Sequence, residues 1–478
     1  MKGLQLQRST LLVLAAIVVA GYLFAAVTPL IYGLLALHAL RGPKQAIEAL
    51  SIMFVMLMGN AAVISGGAKS LRWFVLVAGF LGVMLSSAKQ GQATSPIIAY
   101  IWIFFLLMLP VSLTISQMPA ISAFKLISFF MGTCTVFYGF RKTVHLKAYW
   151  KNWFTTIFTF LVVGSFLVFP LGAGYVRSAG FQGLFNHPQT LGPVGAIIAV
   201  WFIGIYIFSR EKKDLIFLLL GGASVVLIFF SLARIGLAMI AGGFLLGYLV
   251  FTVSGKVVRI PPAGRNIIIA SSMLFIAALV YNSEGIINYF IDFFQKSADS
   301  TEVADVVYES RGFLIEASMQ NFYKFPVLGI GFGVPTDYEI GFGNIETFMG
   351  IPTGASIEKG FMPSAILEET GLVGAILTLL LLIALIRVVN RYNQFHLLWL
   401  LMTVFLINVG EAVLFSFGGL GLFAWLMIGF CYNQSLHYTP RIRKTPSHEN
   451  PLHRRGAPQF HESGAAAPGV SGASRTRI

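Results

Sequence analysis

Apolar residues in this chain come in long unbroken runs, not in the 2.0 or 3.6-residue rhythm of half-buried soluble elements. A helix needs about 20 mostly apolar residues to cross a bilayer core. Stretches that reach or approach that length run 9–27, 28–40, 48–66, 73–87, 96–116, 121–140, 153–172, 191–209, 214–231, 234–252, 266–282, 362–386, 395–411 and 413–433. The first two read equally as a hairpin or as one bent element. The pattern therefore predicts an all-α, polytopic transmembrane helix bundle of 12–14 spans. The run from Ser9 is too long for a leader and lacks a small-residue cleavage site, so it is expected to be the first anchor. Between 283 and 362 the runs stop, which predicts one long, partly helical loop. Within it Phe313, Ala317 and Phe322 are spaced like an amphipathic helix, and Pro326, Gly329, Gly331 and Gly333 break that helix. The glycine run follows no strand, so it is not read as a dinucleotide-binding turn.

Composition supports the lipid environment. The 478 residues are 56% hydrophobic and 11% charged, where soluble domains carry about 25% charge. The mean hydropathy is +0.79. The net charge of +14 does not indicate nucleic acid, because the basic residues lie in short clusters between apolar runs. Of the 33 Lys/Arg and 19 Asp/Glu, four and eleven respectively fall within 283–362. If spans alternate, the basic clusters around Arg141, Lys212, Lys256, Arg387 and Arg441 share one side, and the acidic loop, with Lys69 and Arg72, takes the other. Lys/Arg-rich short loops stay in the cytoplasm. The loop is thus expected outside and both termini inside. Cys134 and Cys431 lie in apolar runs, so no disulfide framework is expected. The chain divides into N-terminal spans (1–140), a main membrane region with the loop (141–435) and a polar Pro/Gly/Ala-rich tail (436–478), expected to be disordered.

Chemistry is expected on the acidic side. Arg177, Arg234 and Arg311 sit at its membrane boundary, where guanidinium groups bind phosphate bidentately and stay charged. Asn186-His187-Pro188 precedes a span, placing a titratable imidazole at a helix N-terminus that favours anions. Glu358-Lys359-Gly360 leads into a span carrying Glu368, Glu369 and Gly371. A carboxylate in low dielectric is a candidate general base, with Glu358 first and Glu369 and His187 behind it. Lys359 is read as a helper at phosphate, Glu369 as better placed to brace the helix, and Glu368 as an ordinary interface charge. Asn408 and Glu411 are polar groups in an apolar span. No Cys/His metal cluster, P-loop or Ser-His-Asp set is recognisable in the sequence.

The order Arg177, Gly180-Phe181, Asn186-His187-Pro188, Ser231 to Arg234, Arg311-Gly312, Pro326 to Gly331 and Glu369-x-Gly371 resembles the bacterial O-antigen ligase and O-antigen polymerase superfamily over roughly residues 150–435. The resemblance implies a metal-independent glycosyltransferase without cofactors. It would act at the outer face of the bacterial inner membrane on a glycan carried by undecaprenyl diphosphate. Arg177, Arg234 and Arg311, with Lys359, would hold the diphosphate. Membrane lipids and chain-length or export proteins are the expected partners. Ligases of this kind carry a His just before the Glu-x-Gly helix, where this chain reads Glu358-Lys359-Gly360-Phe361. That departure favours a polymerase of surface or exopolysaccharide repeat units. A ligase to lipid A-core and a lipid-linked oligosaccharide flippase are the alternatives.

The charge asymmetry makes a direct prediction. Single cysteines at Asp337 and Ser471 should react with an impermeant label from opposite faces of the membrane. Reaction of both from one face overturns the topology.

Overall fold

Every helix that crosses lipid must satisfy its own backbone, because no water is there to do so. The computed structural model obeys this rule with a bundle of helices that alternate in direction. It describes most of residues 6–262 and 312–436. Residues 24–26, 61–68, 87–94, 177–179, 209–213, nearly all of 263–311, 338–344, 349–350, 356–358, 392–393 and both chain ends lie outside the described residues. The elements are α1 (Arg8–Leu23), α2 (Val27–Leu40), α3 (Pro43–Met58), α4 (Arg72–Leu85), α5 (Pro96–Thr114), α6 (Pro119–Lys142), α7 (Lys147–Val168), α8 (Pro188–Phe208), α9 (Leu215–Ser231) and α10 (Arg234–Val253). After the long loop begins come α11 (Phe313–Lys324), α12 (Met362–Asn390), α13 (Phe395–Gly410) and α14 (Gly419–Gln434). Two small hairpins, β1 (Tyr175–Val176) with β2 (Gly180–Phe181) and β3 (Ile345–Phe348) with β4 (Ile351–Ala355), are antiparallel.

Six of these helices are long and apolar enough to cross a membrane, and five apolar helices are shorter. Burial sorts them into inner and outer. The apolar window of α8 is 83% buried, whereas those of α10 and α12 are 28% buried. Leu372, Ile376, Leu379 and Leu380 on α12, and Leu30, Leu34 and Leu37 on α2, stay exposed along one stripe each. Such stripes suit acyl chains, not water. Residues 421–433 of α14 and 46–57 of α3 are buried throughout and form the centre. Helices before and after residue 140 share this core: Asn433 Nδ2 donates to Phe140 O at 2.6 Å, and Tyr432 donates to Ser95 Oγ at 2.8 Å.

The bundle has two chemically different ends. At one, Lys142 Nζ donates to Val83 O (2.7 Å), Lys147 to Gln434 O (2.7 Å), and Lys256 to the Asn390 carbonyl. Lysines here satisfy the orphan carbonyls of helix C-termini. Glu48, Lys44, His38 and Tyr149 also meet at this end, with His38 Nε2 2.8 Å from Glu48. The opposite end gathers the N-termini of α4, α6, α8, α10, α12 and α14 with the C-termini of α3, α5, α7, α9 and α13. Arg72 lies at this second end, its guanidinium beside Gly418. Several boundaries differ from the sequence reading, α3 (Pro43–Met58 against 48–66) and α7 (Lys147–Val168 against 153–172) among them. The last helix begins at Gly419, not near 413, because Asn408 Oδ1 accepts the Val413 N–H and the chain turns at Ser416 before Gly419 (φ +53°).

At the second end α12 is broken. Gly371 has φ 59° and ψ −165°, which stops the helix after Thr370 and restarts it at Leu372. The break leaves unpaired N–H and C=O groups next to lipid, a cost of several kcal/mol each. The Pro326–Gly331 segment repairs it. Ile330 N donates to Glu368 O (2.9 Å) and Gly331 N to Glu369 O (3.2 Å). Leu372 N in turn donates to Pro326 O (2.9 Å) and Val373 N to Val327 O (3.2 Å). So close an approach requires glycine. A Cβ on Gly329 (φ +72°) would sit 2.5 Å from the Glu369 carbonyl carbon, and one on Gly371 would strike the Val327 carbonyl.

Gly371→Ala is therefore expected to cost at least roughly 1–3 kcal/mol from backbone strain alone, read as a lower melting temperature in detergent. Gly222→Ala, where a Cβ meets nothing within 4 Å, should leave melting unchanged or raise it. Equal behaviour of the two variants would refute the repaired break.

Candidate functional site

The repaired break carries a buried charge cluster. Glu368 and Glu369 are the third and second residues before Gly371, and neither reaches solvent appreciably (0% and 5% exposed). Lys359, 3% exposed, lies between them. Its Nζ is 2.9 Å from Glu368 Oε2 and 3.0 Å from Glu369 Oε1. The remaining carboxylate oxygens are also engaged. Asn321 Nδ2 of α11 donates to Glu368 Oε1 (2.8 Å), Thr336 Oγ1 to Glu368 Oε2 (3.1 Å), and Gly333 N to Glu369 Oε2 (2.6 Å). Burial pushes the Lys359 ammonium down, but Glu369 and Glu368 outweigh it and hold its pKa above the usual lysine value. The ammonium stays charged, and the trio carries one net negative charge when all three are ionised.

This geometry assigns places to several residues of the sequence reading. Glu368, expected as an ordinary interface charge, is instead fully buried, because three donors compensate its desolvation. Glu369 braces the Gly333 turn. Lys359 is turned inward onto both carboxylates, away from any phosphate at the surface. Arg177, Arg311 and Glu358 lie outside the described residues, as do their contacts.

The loop before α8 is tied to the bundle centre. Asn186 N donates to Met58 O (2.8 Å), and Asn60 N to Leu184 O (2.8 Å). Asn60 Nδ2 donates to Ala173 O (2.7 Å) and Gly183 O (3.1 Å). His187 sits at the N-cap of α8. Its carbonyl accepts the Thr190 N–H, and its Nδ1 accepts from Gln189 N at 3.2 Å. In the neutral ring the proton is then on Nε2. Beside this loop runs the tight turn from α9 to α10. Leu232 (φ 55°) is the sole non-glycine residue with positive φ among the described residues. A branched side chain there is strained, and such strain collects at functional sites. Ser231 Oγ steadies the turn by accepting the Ala233 N–H at 3.2 Å. Arg234 follows as the first residue of α10. A Cβ on Gly180 would lie 3.1 Å from Ser231 O, so the strand just after Arg177 abuts the turn just before Arg234.

The 411–418 loop joins the two halves. Gly410, before Glu411, packs on Ile235, the neighbour of Arg234. The Phe415 ring packs at a tilt against Phe332, just past the repair segment, with centroids 4.8 Å apart, and Phe332 also meets Phe129 and Phe104. A Cβ on Gly333 would lie 2.5 Å from Lys125 Cδ, placing that α6 lysine beside the Glu369 turn. Lys125, Asn321, Thr336 and Asn60 escaped the sequence reading. A lysine one turn into an apolar span was the available signal for Lys125; the other three are ordinary loop or helix residues until folded. Among the described residues, no three His, Cys, Asp or Glu side chains form a metal-binding group. No protein-family model matches the chain, and no curated protein matches it.

Removing one partner of a buried ion pair leaves an uncompensated charge, at roughly 3–5 kcal/mol. Lys359→Met should cost about that at neutral pH, and adding Glu369→Gln should recover part of it. With a folded pKa raised above the unfolded 10.5, the lysine's contribution is complete below the unfolded value. It fades only as pH rises through the folded one. Parent-like melting of Lys359→Met at neutral pH contradicts the pairing.

Proposed function

We propose that the protein is a membrane glycosyltransferase that polymerises glycan units carried on undecaprenyl diphosphate, in surface or exopolysaccharide synthesis. The observation that carries this reading is the shared end of the bundle. The strained Arg234 turn, the His187 loop and the buried Lys359–Glu368–Glu369 cluster all lie there, on helix ends that are held by hydrogen bonds at fixed positions. The sequence resemblance supplies the substrate class.

In the proposed reaction an acceptor hydroxyl attacks the anomeric carbon of the lipid-linked glycan. A new C–O bond forms, the bond to the diphosphate oxygen breaks, and the leaving diphosphate keeps the electron pair. Glu358 takes the hydroxyl proton, with His187 or Glu369 as the other acceptors. Arg177, Arg234 and Arg311 meet the charge that develops on the leaving oxygen, and preorganised cations stabilise such charge with little reorganisation. Lys359 acts by keeping the two carboxylates and the Gly333 turn in place. The sequence leaves the sugar and the linkage unassigned.

Purified protein given a lipid-linked repeat unit should lengthen it. Arg234→Ala is expected to lose roughly 10²–10³ in rate. Arg234→Lys should stay impaired, since the charge remains but the planar fork is gone. Glu358→Gln at near-parent rate would move the proton acceptor to His187 or Glu369. A protein that carries the lipid-linked unit between leaflets without extending it would overturn the transferase reading.

A further inference from the structure

A sizeable cavity lies at the other end. It measures about 800 Å³ and opens between α7, α8, α10, α13 and α14 among the basic residues. Its size is that of a site for a sizeable organic ligand, far more than a phosphate group alone fills. Its lining has two halves. Lys151, Lys256, Arg259 and Gln394 supply charge and polarity, and among the described residues no Asp or Glu lines it. Trp201, Phe251 and Phe430 form an apolar wall, with Trp201 and Phe430 packed at 4.6 Å.

A second feature points to an anion independently of the side chains. The cavity is lined by Gln394, Phe395, His396 and Leu397, the N-cap and first turn of α13. The first turn of a helix presents N–H groups without intrahelical partners and the positive end of the macrodipole. The α13 N-cap makes no side-chain cap bond, and no acidic residue sits in the first turn. Lys256 is held at the rim by the Asn390 carbonyl and lies over the Phe251 ring at 5.5 Å. Burial lowers its pKa, and a bound anion would favour its charged form.

We propose that this cavity binds an acidic glycerophospholipid from the leaflet at the basic end. Its phosphate would sit between Lys256, Arg259 and the first turn of α13, and its chain along Trp201, Phe251 and Phe430. Cationic pockets between spans at a basic membrane face recognise such head groups. The apolar wall is what distinguishes a lipid from free phosphate. The site is separate from the proposed transferase site and stands whether or not that function holds.

Native mass spectrometry of protein exchanged into mixed phosphatidylglycerol and phosphatidylcholine tests it. The parent should retain phosphatidylglycerol preferentially. Loss of one charged contact should reduce that retention about tenfold in Arg259→Gln, an exposed position where folding is not at risk. Gln394→Glu gives a sharper separation. A carboxylate at the N-cap complements the dipole, so melting in phosphatidylcholine should hold or rise while phosphatidylglycerol retention falls. A merely structural role would move both readouts together. Equal retention of the two lipids by the parent, or parent-like retention by both variants, overturns the proposal. So does thermal protection by inorganic phosphate equal to that by phosphatidylglycerol, which would assign the site to free phosphate.

Discussion

The helix break at Gly371 and its repair by the Pro326–Gly331 backbone form the constraint on which the site end depends. An interrupted span must recover its hydrogen bonds within protein. Here a segment some forty residues earlier supplies two donors and two acceptors, in register with the residues on each side of Gly371. That register fixes where Gly333 lies, and Gly333 in turn meets Glu369. Residues 326–331 are thereby locked to α12 by backbone bonds, which depend little on side-chain identity beyond the glycines.

The charge cluster is the second consequence. Ending the first half of α12 at Thr370 leaves Glu368 and Glu369 on its last turn, the end of a helix where a negative charge is least favoured. Lys359 offsets this, and Asn321, Thr336 and Gly333 satisfy the lone pairs it does not reach. A buried pair of this kind adds little net stability over an apolar packing, but it is costly to break. Its use is to specify one arrangement of α11, the repair segment and α12.

The two ends of the bundle use their charges differently. At the basic end, lysines cap helix carbonyls, and a cavity there has a cationic rim with an apolar wall. At the other end, the cations lie among loops, glycine turns and buried carboxylates.

The sequence by itself determined the environment and the elements. Runs as apolar as 96–116 and 191–209 can only be helices in lipid, and α5 and α8 occupy them. Pro326 and its glycines marked a broken segment, and Phe313, Ala317 and Phe322 marked α11, because local geometry is written in local residue types. The tertiary structure alone decided what the charged residues do. From the sequence Lys359 reads as a helper at phosphate and Glu368 as an ordinary interface charge; packing of α11 and the repair segment buried both. Likewise the Asn408 contact to the Val413 N–H goes with a start of α14 at Gly419, not near 413. The physical reason is range. Hydrophobic patterning reports the solvent each residue meets, whereas the partner of a polar group is set by contacts between segments far apart in the chain.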